Sequence, residues 1–476
     1  MKLFGTDGIR GKFNEPPIDH THLIKIGYAF AKSLFDNEKG QVYISNDGRE
    51  SSSEIELALS IGIKHQGSGV ISIGLLPTPA LSICMNMPGL SQGLYAGIQI
   101  TASHNPFHDN GVKFFDKNGF KLGNDLEEKI ENNYFNGKEE ININNQQSSK
   151  SNFSEDFNKY YINYLNNYFS LKMKDVKVPK EKFNILVDCA NGASSHVVEK
   201  ILMDSFINII PIHNEPTGKN INDNCGATNI EGLKKFILDF NNVKANSSDY
   251  NKTGIPKDLK IDLGVALDGD GDRVIFISPC GKEINGDDTL YIFALFHKIT
   301  NNNNNPIVGT QMTNYGIQSL YKKNNITFIE TDIGDKHVLR EMIRSGSTFG
   351  GESSGHILSP VSDRLYVGDG IITLINFLEV IFKQDKSIDE LKNQITSIPS
   401  KLFNTKVTDK KKFFEDKVNI KVFSKLEKMI GSSGRLLLRP SGTENLIRLL
   451  IEHEDAEKIE ILSRYFYDNI NKNTIV

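Results

Sequence analysis

The chain has no tryptophan and only 4 cysteines in 476 residues. Cys84, Cys189, Cys225 and Cys280 stand far apart and form no C-x-x-C pair. That spacing argues against a disulfide framework or a zinc site and for buried, reduced thiols. No apolar run approaches the roughly 18–20 residues of a membrane span. The opening Met-Lys-Leu-Phe-Gly-Thr-Asp-Gly carries an apolar stretch too short for a secretory signal. An excess of charge is also missing, since 55 basic and 59 acidic side chains give a net charge of -4. Neither nucleic acid nor membrane is therefore expected as a partner, whereas a local cationic site for a small anion is compatible with this balance. The expectation is a cytoplasmic protein, with monomer and homodimer both open.

What the sequence does contain suffices for several cores. At roughly 150 residues per domain the length suggests about three domains. Strand candidates at Gln41–Ser45, Gly69–Gly74, Leu94–Thr101, Phe183–Asp188, Leu263–Leu267 and Pro306–Thr310 alternate with amphipathic stretches such as His22–Phe35 and Ser53–His65. This alternation predicts α/β units with mainly parallel sheets, whose ligands gather beyond the carboxyl ends of strands. Asn-rich stretches at Ile143–Glu155, Asn241–Pro256 and Asn301–Asn305 read as solvated surface loops. One boundary is expected near the first of them. Another is expected around Ser397–Lys401, with a smaller α+β unit from about Lys401 onward. No strict internal repeat is visible, although three successive α/β segments of similar size would suit a triplication.

Four loops carry chemistry. Strand Leu94–Thr101 runs into Ala102-Ser103-His104-Asn105-Pro106, followed by Asp109-Asn110-Gly111-Val112-Lys113 on an expected hairpin. Ser103 is either a surface-turn residue or a nucleophile at a strand end. Strand Leu263–Leu267 ends in Asp268-Gly269-Asp270-Gly271-Asp272-Arg273, three alternating carboxylates that suit a hard cation such as Mg²⁺. A calcium loop is excluded, because its sixth and twelfth places hold Arg273 and Pro279. Without a cation, three aspartates so close repel one another, which disfavours a plain acidic turn. In Gly350-Gly351-Glu352-Ser353-Ser354-Gly355-His356, Ser353 fits the esterase nucleophile elbow. That elbow needs a following helix, and Ile-Leu-Ser-Pro360 is a poor helix start, so a polar loop offering Glu352, Ser354 and His356 to sugar hydroxyls fits better. Arg439-Pro440-Ser441-Gly442-Thr443-Glu444, with Arg448 after it, is either a helix-capping turn or a phosphate cradle. The N-terminal Gly5-Thr6-Asp7-Gly8-Ile9-Arg10-Gly11-Lys12 is not a nucleotide P-loop, since its glycine spacing is too long and Phe13 replaces Ser/Thr.

The order F-G-T-D-G-I-R-G, T-A-S-H-N-P, D-G-D-G-D-R, G-E-S-S-G-H, R-P-S-G-T-E, from Phe4 to Arg448, resembles the α-D-phosphohexomutase superfamily. Within it, the first motif and Gly334-Asp335-Lys336-His337-Val338 are most similar to the bacterial phosphoglucosamine mutase branch. The resemblance implies four domains around a central cleft: three similar three-layer α/β domains (1–168, 169–287, 288–398) and a C-terminal α+β domain (399–476). It implies an isomerase that interconverts glucosamine 6-phosphate and glucosamine 1-phosphate through a hexose bisphosphate, feeding cell-envelope amino-sugar synthesis. A mannose or glucose phosphomutase is the alternative. Ser103 would be phosphorylated and would share one Mg²⁺ with Asp268, Asp270 and Asp272. Arg10, Lys113, His104, Arg273 and His356 would surround the transferring phosphoryl group. Glu352, Ser354, His356 and Lys336 would bind the sugar, and Arg439, Ser441, Gly442, Thr443 and Arg448 the phosphate not being transferred. Lys113 is the expected base for the sugar hydroxyl, with a pKa depressed by cationic neighbours. Thr101 stands where that branch usually has serine and is common in phosphomannomutase relatives. Asn445 replaces a usual proline, and Lys336-His337 replaces Arg-Tyr.

Overall fold

The computed structural model describes residues 2–5, 7–88, 90, 93–137, 153–203, 205–241, 259–301, 305–362, 365–441 and 445–476. Most of the Asn-rich stretches lie outside these residues. The first of them ends differently from expectation, because a helix Phe153–Lys172 begins inside it. Its Phe157, Tyr161, Leu165 and Phe169 recur at intervals of four and are all buried.

Contacts divide the chain into two compact units, residues 1–311 with 329–392, and 312–328 with 393–476. The chain builds three five-stranded sheets in succession and then a three-stranded one. The first sheet contains Ile9–Lys12 (β1), Gln41–Asn46 (β2), Gly69–Leu75 (β3), Tyr95–Ile100 (β4) and Asp109–Phe115 (β5), in the order β1-β5-β4-β2-β3. The second contains Phe183–Asp188 (β6), Ile207–Ile212 (β7), Leu263–Leu267 (β8), Val274–Ile277 (β9) and Glu283–Ile284 (β10), in the order β10-β9-β8-β6-β7. The third contains Ile307–Thr310 (β11), Phe328–Thr331 (β12), Phe349–Gly351 (β13), Ile357–Pro360 (β14) and Tyr366–Gly368 (β15), in the order β12-β11-β13-β14-β15.

One plan recurs in all three. A central strand (β4, β8 or β13) runs parallel to an earlier strand of its sheet (β2, β6 or β11) and antiparallel to the strand that follows it. The loop that turns between these last two strands leaves from the carboxyl end of a central strand, where three of the four chemistry-bearing motifs stand.

The strand and helix expectations match within a residue or two. Helix His20–Phe35 starts at Asp19, whose carboxylate accepts from the amides of Thr21 and His22. It packs on helix Ser52–Gln66 so closely that a Cβ on Gly27 would stand 2.2 Å from the Leu59 carbonyl oxygen. Two of the expected domain boundaries, after 168 and after 287, fall inside helices Phe153–Lys172 and Gly286–Asn301. The chain therefore passes from sheet to sheet through packed helices there. Cys84, Cys189 and Cys225 are buried, as expected, but Cys280 is exposed, because it sits at the tip of the turn between β9 and β10.

The second unit includes an antiparallel sheet of Ser400–Lys406 (β16), Gly434–Pro440 (β17) and Leu446–His453 (β18), in the order β16-β18-β17. Helices Lys417–Ile430 and Ala456–Asn469 bury Val422, Leu426, Leu462 and Phe466 with Ile447, Leu449 and Ile451 of β18. This is the smaller α+β unit expected from about Lys401. Among the described residues no helix is long and apolar enough to cross a membrane.

Candidate active site

Ser103 follows the end of β4 in a left-handed backbone conformation, φ 52°, which is uncommon for a residue with a Cβ. Its amide donates to Thr101 Oγ1 at 2.8 Å, and its buried Oγ donates to Asp268 Oδ2 at 2.7 Å. His104 Nδ1 stands 3.4 Å from the same Oγ. The two loops thus meet although 165 positions separate them.

Asp268, Asp270 and Asp272 lie between β8 and β9, all buried, each with a carboxylate oxygen within 4.8 Å of the others. Gly271, at φ +75°, allows the loop to turn. Asp270 Oδ2 accepts from Thr78 Oγ1 at 2.6 Å and from Lys113 Nζ at 2.8 Å, and Asp272 Oδ2 accepts from Lys113 at 2.9 Å. Asp270 Oδ1 is buried with no hydrogen-bond partner among the described residues, whereas Asp272 Oδ1 faces His356 Nδ1 at 3.5 Å and Arg273 Nε at 3.9 Å. A buried carboxylate oxygen left over in this way, in a cluster of three aspartates, fits a hard, oxygen-seeking cation. Burial, then the charges of Asp272 and Asp270, pushes the Asp268 carboxyl well above its usual range. Asp272 is held well below it, burial notwithstanding, by Lys113, His356 and Arg273.

Lys113, on β5, is buried and also lies 3.1 Å from Asp7. Burial opposes its charge, but Asp270, Asp272 and Asp7 outweigh it and hold its pKa well above the ordinary lysine value. The expected depression is thereby reversed in this state of the site. The field at Nζ is set by three carboxylates within 2.8–3.1 Å, not by the arginines. Arg10, on β1, pairs with Asp7 at 3.0 Å, and Arg273 Nε lies about 4 Å from both Asp268 and Asp272, at 4.0 and 3.9 Å. Burial, then Arg273 and Arg10, pushes the His104 imidazole down to about 4. His356 is pulled upward by Asp272, 3.5 Å away, against the effect of burial.

The third loop joins antiparallel β13 to β14 with no following helix, so Ser353 has no esterase elbow around it, in line with the poor helix start of Ile-Leu-Ser-Pro360. Glu352 Oε1 accepts from the Gly334 amide at 3.0 Å, and Ser354 Oγ is buried without a hydrogen-bond partner among the described residues. The Gly355 carbonyl accepts from the Val274 amide at 3.1 Å, tying this turn to the end of the aspartate loop. Lys336 pairs with Glu127, and its neighbour Asp335 pairs with Lys121, which also holds Asp7 at 2.7 Å. A cavity of about 270 Å³ is lined by Asp272, His356, Lys121, Asp335 and Lys336 together with Phe115, Phe120 and Tyr366. Asp7, Thr78 and Lys121 were not singled out from the sequence. Asp7 alone had a signal, since it lies in the motif that contributed Arg10.

The fourth motif belongs to the second unit. Arg439 and Arg448 face each other in register on β17 and β18. Arg439 is lowered from its ordinary value by burial and then by Arg448, and its buried Nε has no hydrogen-bond partner among the described residues. Like charges directly opposite on neighbouring strands repel, and an anion between them relieves this. Ser441 is buried, and its carbonyl accepts from Lys410 Nζ at 2.8 Å. Gly442 and Thr443 lie outside the described residues.

Four family models match the chain in succession. They are phosphoglucomutase/phosphomannomutase α/β/α domain I over residues 1–141, domain II over 159–281, domain III over 285–398, and the C-terminal domain over 402–468. Among curated relatives, a phosphoglucosamine mutase of Carboxydothermus hydrogenoformans is 37% identical over 96% of this chain and 97% of its own. Another, from Buchnera aphidicola, is 35% identical over 99% of this chain and 97% of its own. Among solved structures, a phosphoglucomutase/phosphomannomutase family protein of Burkholderia thailandensis superposes with a TM-score of 0.73 at 19% identity, covering 98% of this chain and 96% of that one. A putative phosphomannomutase of Thermus thermophilus gives 0.71 at 20% identity, with 98% of each chain covered.

Proposed function

The chain belongs to the phosphoglucomutase/phosphomannomutase family, the α-D-phosphohexomutases, and from that premise we propose that it interconverts glucosamine 6-phosphate and glucosamine 1-phosphate. The observation that carries the proposal is the buried hydroxyl of Ser103 bonded to the first of three clustered aspartates. Relatives named phosphoglucosamine mutase, similar over nearly the whole chain, support the amino sugar. The threonine at 101 does not weaken that choice. Its Oγ1 is buried between Asp47 Oδ2, at 2.7 Å, and the Ser103 amide, a bridge that a serine hydroxyl makes equally well.

In this reading Ser103 carries the phosphoryl group. Ser103 with Asp268, Asp270 and Asp272 would hold Mg²⁺, which when bound neutralises charge on the transferring phosphoryl oxygens. The sugar hydroxyl attacks phosphorus, the bond from phosphorus to Ser103 Oγ breaks, and a hexose bisphosphate results. It reorients, and its other phosphate returns to Ser103. Arg10, Arg273 and His104 supply donors around the moving group. Lys113 is our assignment for the group that receives the attacking hydroxyl's proton, and it does so only once the carboxylates it now neutralises are otherwise neutralised. Glu352, Ser354, His356 and Lys336 bind the sugar. Arg439, Ser441, Gly442, Thr443 and Arg448 hold the distal phosphate, which a reorienting bisphosphate requires.

The test is ³¹P NMR of the protein with Mg²⁺ and a trace of glucose 1,6-bisphosphate, offering glucosamine, glucose and mannose 6-phosphates separately. A 1-phosphate signal appearing fastest from glucosamine 6-phosphate, and absent from Ser103→Ala, is expected. Faster turnover of glucose or mannose phosphate would move the protein to that branch, and equal activity in Ser103→Ala would end the phosphoserine mechanism.

A further inference from the structure

The strained backbone of Ser103 is held at once by loops that follow β2 of the first sheet and β7 of the second. Arg49, just after β2, is buried, and all five of its N–H groups are used. Nε donates to Asp47 Oδ2 at 2.9 Å, and Nη1 to the carbonyls of Pro106 and, at 2.8 Å, Asp109. Nη2 donates to the carbonyls of Ser103 and Asn105 at 3.0 and 2.9 Å. From the loop that follows β7 of the second sheet, Asn222 Nδ2 donates to the same two carbonyls, at 2.9 Å to Ser103 and 3.0 Å to Asn105. Two carbonyl acceptors can be met only by the amide's NH₂ end, so the chemistry fixes the orientation of this side chain. Asn222 is itself left-handed, φ 57°, and its amide N–H is bound to the Ala190 carbonyl at 2.9 Å. Gly269 of the aspartate loop packs on the same point, where a Cβ would come within 2.8 Å of the Ser103 carbonyl oxygen.

We infer that Arg49 and Asn222 are positioning residues, which together clamp the Ser103 and Asn105 carbonyls so that Ser103 Oγ stays aimed at the aspartates. The inference rests on the reading of Ser103 as the phosphoryl carrier. It goes beyond that reading by making the nucleophile's geometry depend on a side chain from a loop after β7 of the second sheet. Neither residue touches the reacting atoms.

Two variants test it. Asn222→Gly keeps the left-handed backbone and deletes the amide, while Asn222→Asp keeps the shape and sets a carboxylate against two carbonyls. Since misplacing a reacting group by about 1 Å costs roughly 100-fold, kcat should fall at least about tenfold in the glycine variant and further in the aspartate variant, with KM within about twofold. Amide hydrogen exchange across residues 101–113 should quicken, while that of helix His20–Phe35 stays as in the parent. Parent-like kcat in both variants overturns the inference, and so does a fall in kcat without faster exchange. If the parent turns over no hexose phosphate, the functional reading fails, and exchange alone decides the clamp: faster sustains it, unchanged ends it.

Discussion

Replacing Lys113 by methionine removes one charge and little volume, so it isolates the electrostatics of the site. The side chain is 1% exposed, and its partners Asp270 and Asp272 are 0% and 4% exposed, so solvent hardly screens the pairs. At the observed 2.8–3.1 Å and an effective dielectric of about 20, each attraction is on the order of 5–6 kcal/mol before desolvation is subtracted. Desolvation of the four charges offsets most of this. What the variant exposes is the penalty of leaving carboxylates buried without their cation, about 3–5 kcal/mol. Denaturant unfolding followed by circular dichroism in EDTA should show that loss in the transition of the first unit. Because Mg²⁺ would neutralise the same carboxylates, it should stabilise Lys113→Met more than the parent. A loss under about 1 kcal/mol in EDTA, or a Mg²⁺ response no larger than the parent's, would refute the reasoning.

Two further predictions concern places where burial and charge compete. Asp369 caps helix Gly370–Gln384, its Oδ1 accepting from the amides of Ile371 and Ile372 and its Oδ2 from the Tyr161 hydroxyl at 2.7 Å. Burial raises its pKa to about 6. A folded carboxyl that binds its proton more tightly than the unfolded one loses stability as pH rises from about 4, and the loss is complete above about 6. Asp369→Asn keeps the capping acceptor, so it should gain on the parent by up to about 3 kcal/mol between pH 4 and pH 7; a difference in stability that does not change with pH would overturn this. Arg439→Ala should raise KM at least about tenfold with kcat changed by less, because in the proposed role it would lose a charge-assisted bond to the distal phosphate, and an unaltered KM would remove Arg439 from that role.

The loops were legible because each carries its own turn chemistry within a few residues. Asp268, Asp270 and Asp272 announce themselves by alternation with glycine, and Asn110-Gly111 announces the hairpin that brings Lys113 back. What was not legible depends on partners distant in sequence. Thr78 sits in an ordinary Thr-Pro helix start, and only the fold brings it, across 192 positions, to Asp270. Lys121 links Asp7 to Asp335, 214 positions away from it. The state of Lys113 was misjudged for the same reason. Motif reading placed two arginines beside it but had no means of counting the carboxylates that close on it.

The repeated sheet plan explains how the readable and unreadable parts fit together. The strand order recurs although the sequence shows no strict repeat, because a buried central strand asks only for apolar residues of suitable size, which many sequences supply. The turn beyond it is free of that demand. One sheet can therefore place a serine there, the next three aspartates, and the third a glutamate and a histidine, without change of architecture. The cost is that the turns must be fastened to one another. The Ser103 Oγ bond to Asp268 joins the first to the second, and the Gly355 carbonyl to the Val274 amide joins the third to the second. The Gly271 carbonyl, which accepts from the Gly370 amide at 3.0 Å, adds a second tie to the third. The aspartate turn is thus the common partner, and a change that loosens its backbone is expected to disturb the serine turn and the Glu352–His356 turn together, whereas a change confined to either neighbour leaves the other seated.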